Sequence, residues 1–330
     1  MRHRLPVLLT AAMLLVTIVA PVEARGPQQT RHEQIVAYWT PARVANAIPR
    51  DFVFDEARGF VQRAKPTNPP GGGGGGGTTI GASWNNGGAI KEGSGKVLFA
   101  MGGSNYVCSG SVARETKTGR SLVLTAGHCA YDEVNRAFAT NWLFVPDFDQ
   151  SPTFTCPQTQ YGCWTASSLV VHNGYASAGG FNTQATLHDF AFAVVEGGGH
   201  TGTAQLDALV PTFPVAIPGF TSTGQTAYAF GYPAAQKYKG RDLVYCAGQI
   251  FEDPYNEELT WGLPCNMTGG SSGGPWLSGF NATTGTGSLS SLNSYGYSGV
   301  TAMHGPKFNG NTTAVFNAAL TTDRNDIVGD

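Results

Sequence analysis

The sequence predicts an all-β fold, two packed barrels in one domain that begins near Thr78. Three observations carry this reading. From Thr78 onward, short apolar and β-branched runs alternate with Gly, Ser and Asn turns. The runs are many and brief, which suits a barrel or sandwich rather than an α/β sheet. The remaining length, roughly 250 residues, fits one domain of two packed barrels.

Taken in order, the chain opens with Arg2, His3 and Arg4 ahead of an apolar run from Leu5 to Ala20. That run is short for a membrane span, and Pro21–Ala24 supplies residues that a signal peptidase reads. Residues 1–24 are therefore expected to be a secretory signal. Residues 25–70 are polar and punctuated by proline, with no cysteine and no β-rich pattern. Within them Thr40 reads as an N-cap and Pro41 as the first helical position, giving a short helix Pro41–Ala47 that ends before Pro49. The seven glycines Gly71–Gly77 cannot pack a core and read as a tether. The expected organisation is thus signal peptide 1–24, pro-segment 25–70, linker 71–77 and a folded domain 78–330. A plain N-terminal extension is the competing reading of 25–70.

Strands are expected over Val97–Met101, Tyr106–Ala113, Ser121–Ala126, Trp142–Val145, Ser168–His172, Phe190–Val195, Ala227–Phe230, Asp242–Cys246, Gly274–Leu277 and Leu289–Ser294. A terminal helix is expected over Val315–Ile327. Charged residues make up 13% of the chain and the net charge is −2, so there is no basic footprint for nucleic acid. Six cysteines, an even number, favour disulfides in an exported chain.

Two stretches carry chemistry. The first is the apolar run from Ser121 that ends in Thr-Ala-Gly-His-Cys, with His128 presented at the end of a buried strand. The second is Thr268–Trp276, where four glycines flank Ser271 and Ser272. A serine hydroxyl becomes a nucleophile only when a base takes its proton and donors hold the oxyanion that forms. Together, in this order, the two motifs resemble the chymotrypsin-like serine protease family over residues 92–325, with a pattern similar to the bacterial trypsin-like and glutamyl-endopeptidase branch.

The resemblance implies two packed six-stranded β-barrels with a short C-terminal helix and a site at their junction. It makes His128 the general base and Ser272 the nucleophile. Asp189, which opens the apolar run to Val195, becomes the residue that orients His128. Asp147, Asp149 and Asp207 compete for that place, and Ser271 competes with Ser272. His172 and His188 read as ordinary polar positions. The amides of Gly270 and Ser272 would form the oxyanion hole. Ser294, Tyr295 and Gly296 resemble the strand that lies along the substrate backbone, with Asn266 and Met267 at the pocket edge. The expected product is a secreted monomeric endopeptidase acting on protein or peptide substrates. It would need no cofactor or metal and would contact no nucleic acid or, once the signal is cut, membrane. A protease-fold binding or adhesion protein with an idle triad is the alternative.

Three departures from the family pattern stand out. Ser271 replaces the Asp that pairs with a freed N-terminus in digestive members. Asn266 stands where Lys- and Arg-specific members carry Asp, and Asn293 where Glu-specific members carry His, so the pocket reads as neutral. Cys265 lies seven residues ahead of Ser272, farther than is usual. The resemblance implies Cys108–Cys129; Cys265 is then assigned to Cys246, leaving Cys156–Cys163 as a local staple. A zinc site on Cys108, His128 and Cys129 is the rival reading of that corner, disfavoured because export would oxidise the pair. Glycosylation sequons begin at Asn266, Asn281 and Asn311.

Overall fold

A computed structural model of the chain describes residues 29–63, 78–149, 154–235 and 237–329. The expected signal peptide and the glycine run lie outside the described residues. Six strands close a ring: Ser104–Ala113, Ser94–Met101, Thr140–Pro146, Trp164–His172, Ala191–Val195 and Ser121–Thr125, the last pairing back to the first. Strands such as Ser121–Thr125 and Ala191–Val195 are buried along their whole length. That explains why they read as unbroken apolar runs rather than as alternating ones.

Strands of the second half form a five-stranded sheet completed by Thr79–Ser83 and a six-stranded sheet completed by Asp51–Asp55 and Gly59–Arg63. Ala229, Cys246, Leu263, Trp276 and Met303 pack in one core cluster drawn from both. Cys246–Cys265 links the two sheets, Cys156–Cys163 staples a loop, and Cys108–Cys129 ties the strand Ser104–Ala113 to the turn after Ser121–Thr125. The architecture is therefore the expected β-rich double barrel, with most strands running a few residues longer than their sequence signals. Among the described residues no helix is long and apolar enough to cross a membrane.

The C-terminal helix spans Gly310–Ala319 rather than Val315–Ile327. Asn309 and Thr312 exchange reciprocal capping bonds that start the helix early. Asp326–Val328 is instead extended and pairs with Val170–His172.

Residues 29–63 also depart from expectation. The expected short helix is present as Pro41–Asn46, capped by Thr40, but the segment also forms a helix Arg31–Tyr38, capped by Thr30, and three strands that its sequence did not announce. Ile48–Pro49 pairs in parallel with Tyr106–Val107. Asp51–Asp55 pairs in parallel with Tyr295–Tyr297 and antiparallel with Gly59–Arg63. The strand character of such short pieces comes from partners far along the chain, which no local pattern announces.

One buried charge in the first barrel has a measurable signature. Lys96 is 7% exposed, and its Nζ donates to the Gly240 carbonyl at 2.6 Å and sits 4.2 Å from the centre of the Phe148 ring. Burial lowers its pKa from 10.5 to about 7. Between those values the unfolded chain holds a proton that the folded chain has released, so stability rises with pH across the window. The contribution is at most about 1.4 kcal/mol per pH unit. Lys96→Met is expected to flatten the rise and to be the more stable protein at pH 6; urea unfolding at pH 6 and 9 measures both.

Candidate active site

The first barrel brings two distant residues together through strand register. Ala191 lies opposite Thr125 in the antiparallel pair Ala191–Val195 and Ser121–Thr125. Asp189 just precedes one strand and His128 sits in the turn Gly127–Cys129 just after the other. Asp189 Oδ1 accepts the His128 amide at 2.8 Å, and Oδ2 lies 2.8 Å from His128 Nδ1. A carboxylate can only accept, so this contact places the proton on Nδ1 and leaves Nε2 with a lone pair. Ser294 Oγ donates to the same Oδ2 at 2.5 Å. All three side chains are buried.

The competitors for the carboxylate lie elsewhere. Asp147 pairs with Lys91, Asp149 is exposed, and Asp207 accepts from Ser121 and Gln205. His172 and His188 stack on each other with ring centres 4.4 Å apart; burial first, and the neighbouring His172 second, lower the pKa of His188 to about 4. Ligand atoms of Cys108, His128 and Cys129 lie within 4.8 Å of one another. The two sulfurs are bonded to each other, however, which removes both thiolates from a ligand set.

The loop that carries Ser272 is held by neutral hydrogen bonds. Ser271 Oγ donates to the Thr268 carbonyl at 2.8 Å, so this hydroxyl is committed to the backbone. Asn293, fully buried, is the centre of the clamp. Its Nδ2 donates to the carbonyls of Phe230 at 2.7 Å and Ser271 at 3.0 Å, and its Oδ1 accepts from Trp276 Nε1 at 2.8 Å. Ser109 Oγ donates to the Gly270 carbonyl at 2.8 Å. Gly270 itself has φ +96°, and a Cβ there would lie 2.9 Å from the Tyr232 carbonyl oxygen, so only glycine fits. Neither the Gly270 nor the Ser272 amide donates a backbone hydrogen bond among the described residues. Two free amides on one rigid loop can receive a developing negative charge.

Asn293 thus does not face the pocket, where its sequence position suggested a specificity role. Asn293→Ala would strand Trp276 Nε1 and take a donor from the Phe230 and Ser271 carbonyls, the latter keeping only the Gly274 amide, and is expected to destabilise the fold by about 2–4 kcal/mol. Asn293→Asp should fare no better, because it would set a carboxylate against two carbonyl oxygens. Denaturant midpoints of the two variants test the clamp; a loss under about 0.5 kcal/mol in both would refute it.

Asn266, Met267, Tyr295 and Gly296 line one cavity of about 120 Å³. Ser294 is not on its wall, since its hydroxyl is turned to Asp189. Asn266 Oδ1 accepts from the Tyr238 hydroxyl, and the backbone N–H of Asn266 donates to the Ile80 carbonyl. Tyr295 is anchored from behind: its hydroxyl and that of Tyr297 bond to the buried Asp253 at 2.7 and 2.8 Å. Asp253 carried no sequence signal for this role, because the two tyrosine hydroxyls it holds lie more than forty residues away. Asp51, Val53 and Arg63 of the N-terminal segment line the same cavity. Burial pushes the Asp51 carboxyl up to about 6, against the pull of His128 and Arg63.

No family model and no curated protein matches the chain. Among solved structures it is similar to the protease Anisep from Arthrobacter nicotinovorans, at 37% identity and a TM-score of 0.61, over 74% of this chain and 100% of that one. It is also similar to AL20, a thermostable serine protease from an extremophilic microorganism, at 36% identity and a TM-score of 0.60, over 71% of this chain and 99% of the other. A Glu endopeptidase shares the fold at 18% identity and a TM-score of 0.56, over 74% of this chain and 99% of its own.

Proposed function

We propose a function from one premise: the chain belongs to the chymotrypsin-like serine protease family. The reading is a secreted endopeptidase that cuts peptide bonds through an acyl-enzyme, using His128, Asp189 and Ser272. The observation that carries it is the buried His128–Asp189 pair with Nε2 left free. In this mechanism His128 Nε2 takes the Ser272 proton as Oγ attacks the scissile carbonyl carbon. The carbonyl oxygen becomes an oxyanion facing the amides of Gly270 and Ser272. Asp189 stabilises the imidazolium and keeps its tautomer. Collapse of the intermediate breaks the C–N bond, His128 returns the proton to the leaving amine, and water repeats the sequence to free the acid.

Residues 1–24 are proposed as the export signal, 25–70 with the linker 71–77 as a pro-region, and 78–330 as the protease. The three disulfides suit an oxidising compartment. Asn266, Met267, Tyr295 and Gly296 are proposed to bound the specificity pocket, whose own walls carry no carboxylate and so favour an uncharged side chain. The experiment is fluorophosphonate labelling of the processed chain followed by peptide mapping. An adduct on Ser272 is expected; an adduct elsewhere, or none alongside inertness toward casein, would remove the reading.

A further inference from the structure

The N-terminal segment lies across the site just described. Its first helix is seated on the closed barrel: Ile35 and Trp39 are buried, Trp39 Nε1 donates to the Asn141 carbonyl at 2.6 Å, and Tyr38 donates to Asn105 at 2.7 Å. From there Ile48–Pro49 joins Tyr106–Val107, immediately before the Cys108 corner. The chain then crosses between the base and the nucleophile loop.

Four contacts fix that crossing. Arg50 is buried, donates to the His128 carbonyl at 2.5 Å and pairs with buried Glu133 at 3.0 Å. A Cβ placed on Gly269 would lie 2.7 Å from the Cβ atoms of both Pro49 and Asp51, so the segment touches the backbone of the nucleophile loop. The Phe52 ring stands edge-on to His128, centres 5.4 Å apart, and stacks on Phe181 at 4.1 Å. Asp51–Asp55 then takes up the edge of Tyr295–Tyr297, with Phe52 opposite Tyr295.

The outcome is occlusion. His128 is 0% exposed and Ser272 is 3% exposed. His128 Nε2 has no hydrogen-bond partner, so Ser272 Oγ is not engaged with its base while the segment is in place. A substrate that adds a strand to Tyr295–Tyr297 needs the edge that Asp51–Asp55 already uses.

We propose that residues 29–63 are a built-in inhibitor that fills the substrate cleft, and that the protease acts only once they are displaced. This rests on the reading of Ser272 as nucleophile. Covalent attachment makes the block strong without tight intrinsic binding, because a tethered occupant competes at an effective concentration of order millimolar. Arg50 is the anchor. Its ion pair is buried, and a buried charge that loses its partner destabilises the docked arrangement rather than the free one.

The test measures the rate of fluorophosphonate labelling of the full chain. It compares wild type, wild type nicked by a second protease and separated from the released segment, Arg50→Ala, and Ser272→Ala as the blank. The expected result is slow labelling of intact wild type, with labelling at least tenfold faster after nicking and in Arg50→Ala. Equal rates in intact and nicked wild type would overturn the inhibitor and leave the protease reading standing. Absence of Ser272 labelling in every form, nicked wild type included, would overturn the protease reading and the inhibitor with it. Should Arg50→Ala fail to fold, the comparison of intact and nicked wild type decides alone.

Discussion

Ser272→Ala, measured on protein freed of residues 29–63, is expected to lower peptide and ester hydrolysis by about a millionfold. The effect is large because the proposed chemistry runs through one oxygen. Without Oγ there is no acyl-enzyme, and His128 has no hydroxyl to deprotonate. A residual rate about a thousandfold above water should remain, since the oxyanion donors and the binding groove are untouched. Thermal stability should not fall, because Ser272 Oγ makes no hydrogen bond among the described residues whose loss would destabilise the loop. The competing serine gives the control. Ser271→Ala removes a hydroxyl already committed to the Thr268 carbonyl. It should cost stability of about 1 kcal/mol while the variant still labels on Ser272. Reversal of those two outcomes would move the nucleophile to Ser271.

Asp189→Asn is the second large effect, a fall in kcat of about ten-thousandfold with the fold retained. Asp189 accepts three donors: the His128 amide, His128 Nδ1 and Ser294 Oγ. An asparagine offers one oxygen and one NH2 group, so one side of the constellation meets a donor. If NH2 faces His128, Nδ1 must accept, the ring proton moves to Nε2, and the base can no longer take the Ser272 proton. If the oxygen faces His128 Nδ1, NH2 is pressed against the His128 amide instead. Stopped-flow acylation and urea denaturation of the same variant separate the two costs. A tenfold loss or less in acylation, with stability intact, would remove Asp189 from the orienting role.

Much of the body was legible in the sequence because its signals are local. The strands of the closed barrel are contiguous apolar runs, and the two chemistry-bearing motifs are each complete within nine residues. What escaped was set by distant partners. Asp51–Asp55 reads Asp-Phe-Val-Phe-Asp, a pattern too short to stand alone, and becomes a strand because Tyr295–Tyr297 offers it an edge. Asn293 stands out in the sequence only as the residue in place of the His of Glu-specific members, and only the folded loop shows that its amide is spent on Phe230, Ser271 and Trp276. The C-terminal helix was misplaced although its start was visible: Asn309 and Thr312 form a capping pair that outweighs the apolar residues further on.

The same loop answers how Ser271 can stand where digestive members of the family carry an Asp. An ion pair forms only after a new N-terminus is made, so it couples loop order to cleavage. The Asn293 clamp is neutral and present before any cut. On the proposed function, control over this protein would therefore fall on access to the site rather than on assembly of the oxyanion donors.

The pairing of Asp51–Asp55 with Tyr295–Tyr297 has one more consequence. A bare strand flank is a template on which a second copy can dock, and crowded nascent chains are where such docking leads to aggregates. In the uncut chain this flank is filled from within. The segment proposed to silence the enzyme would therefore also seal a sticky seam from folding until the moment it is displaced.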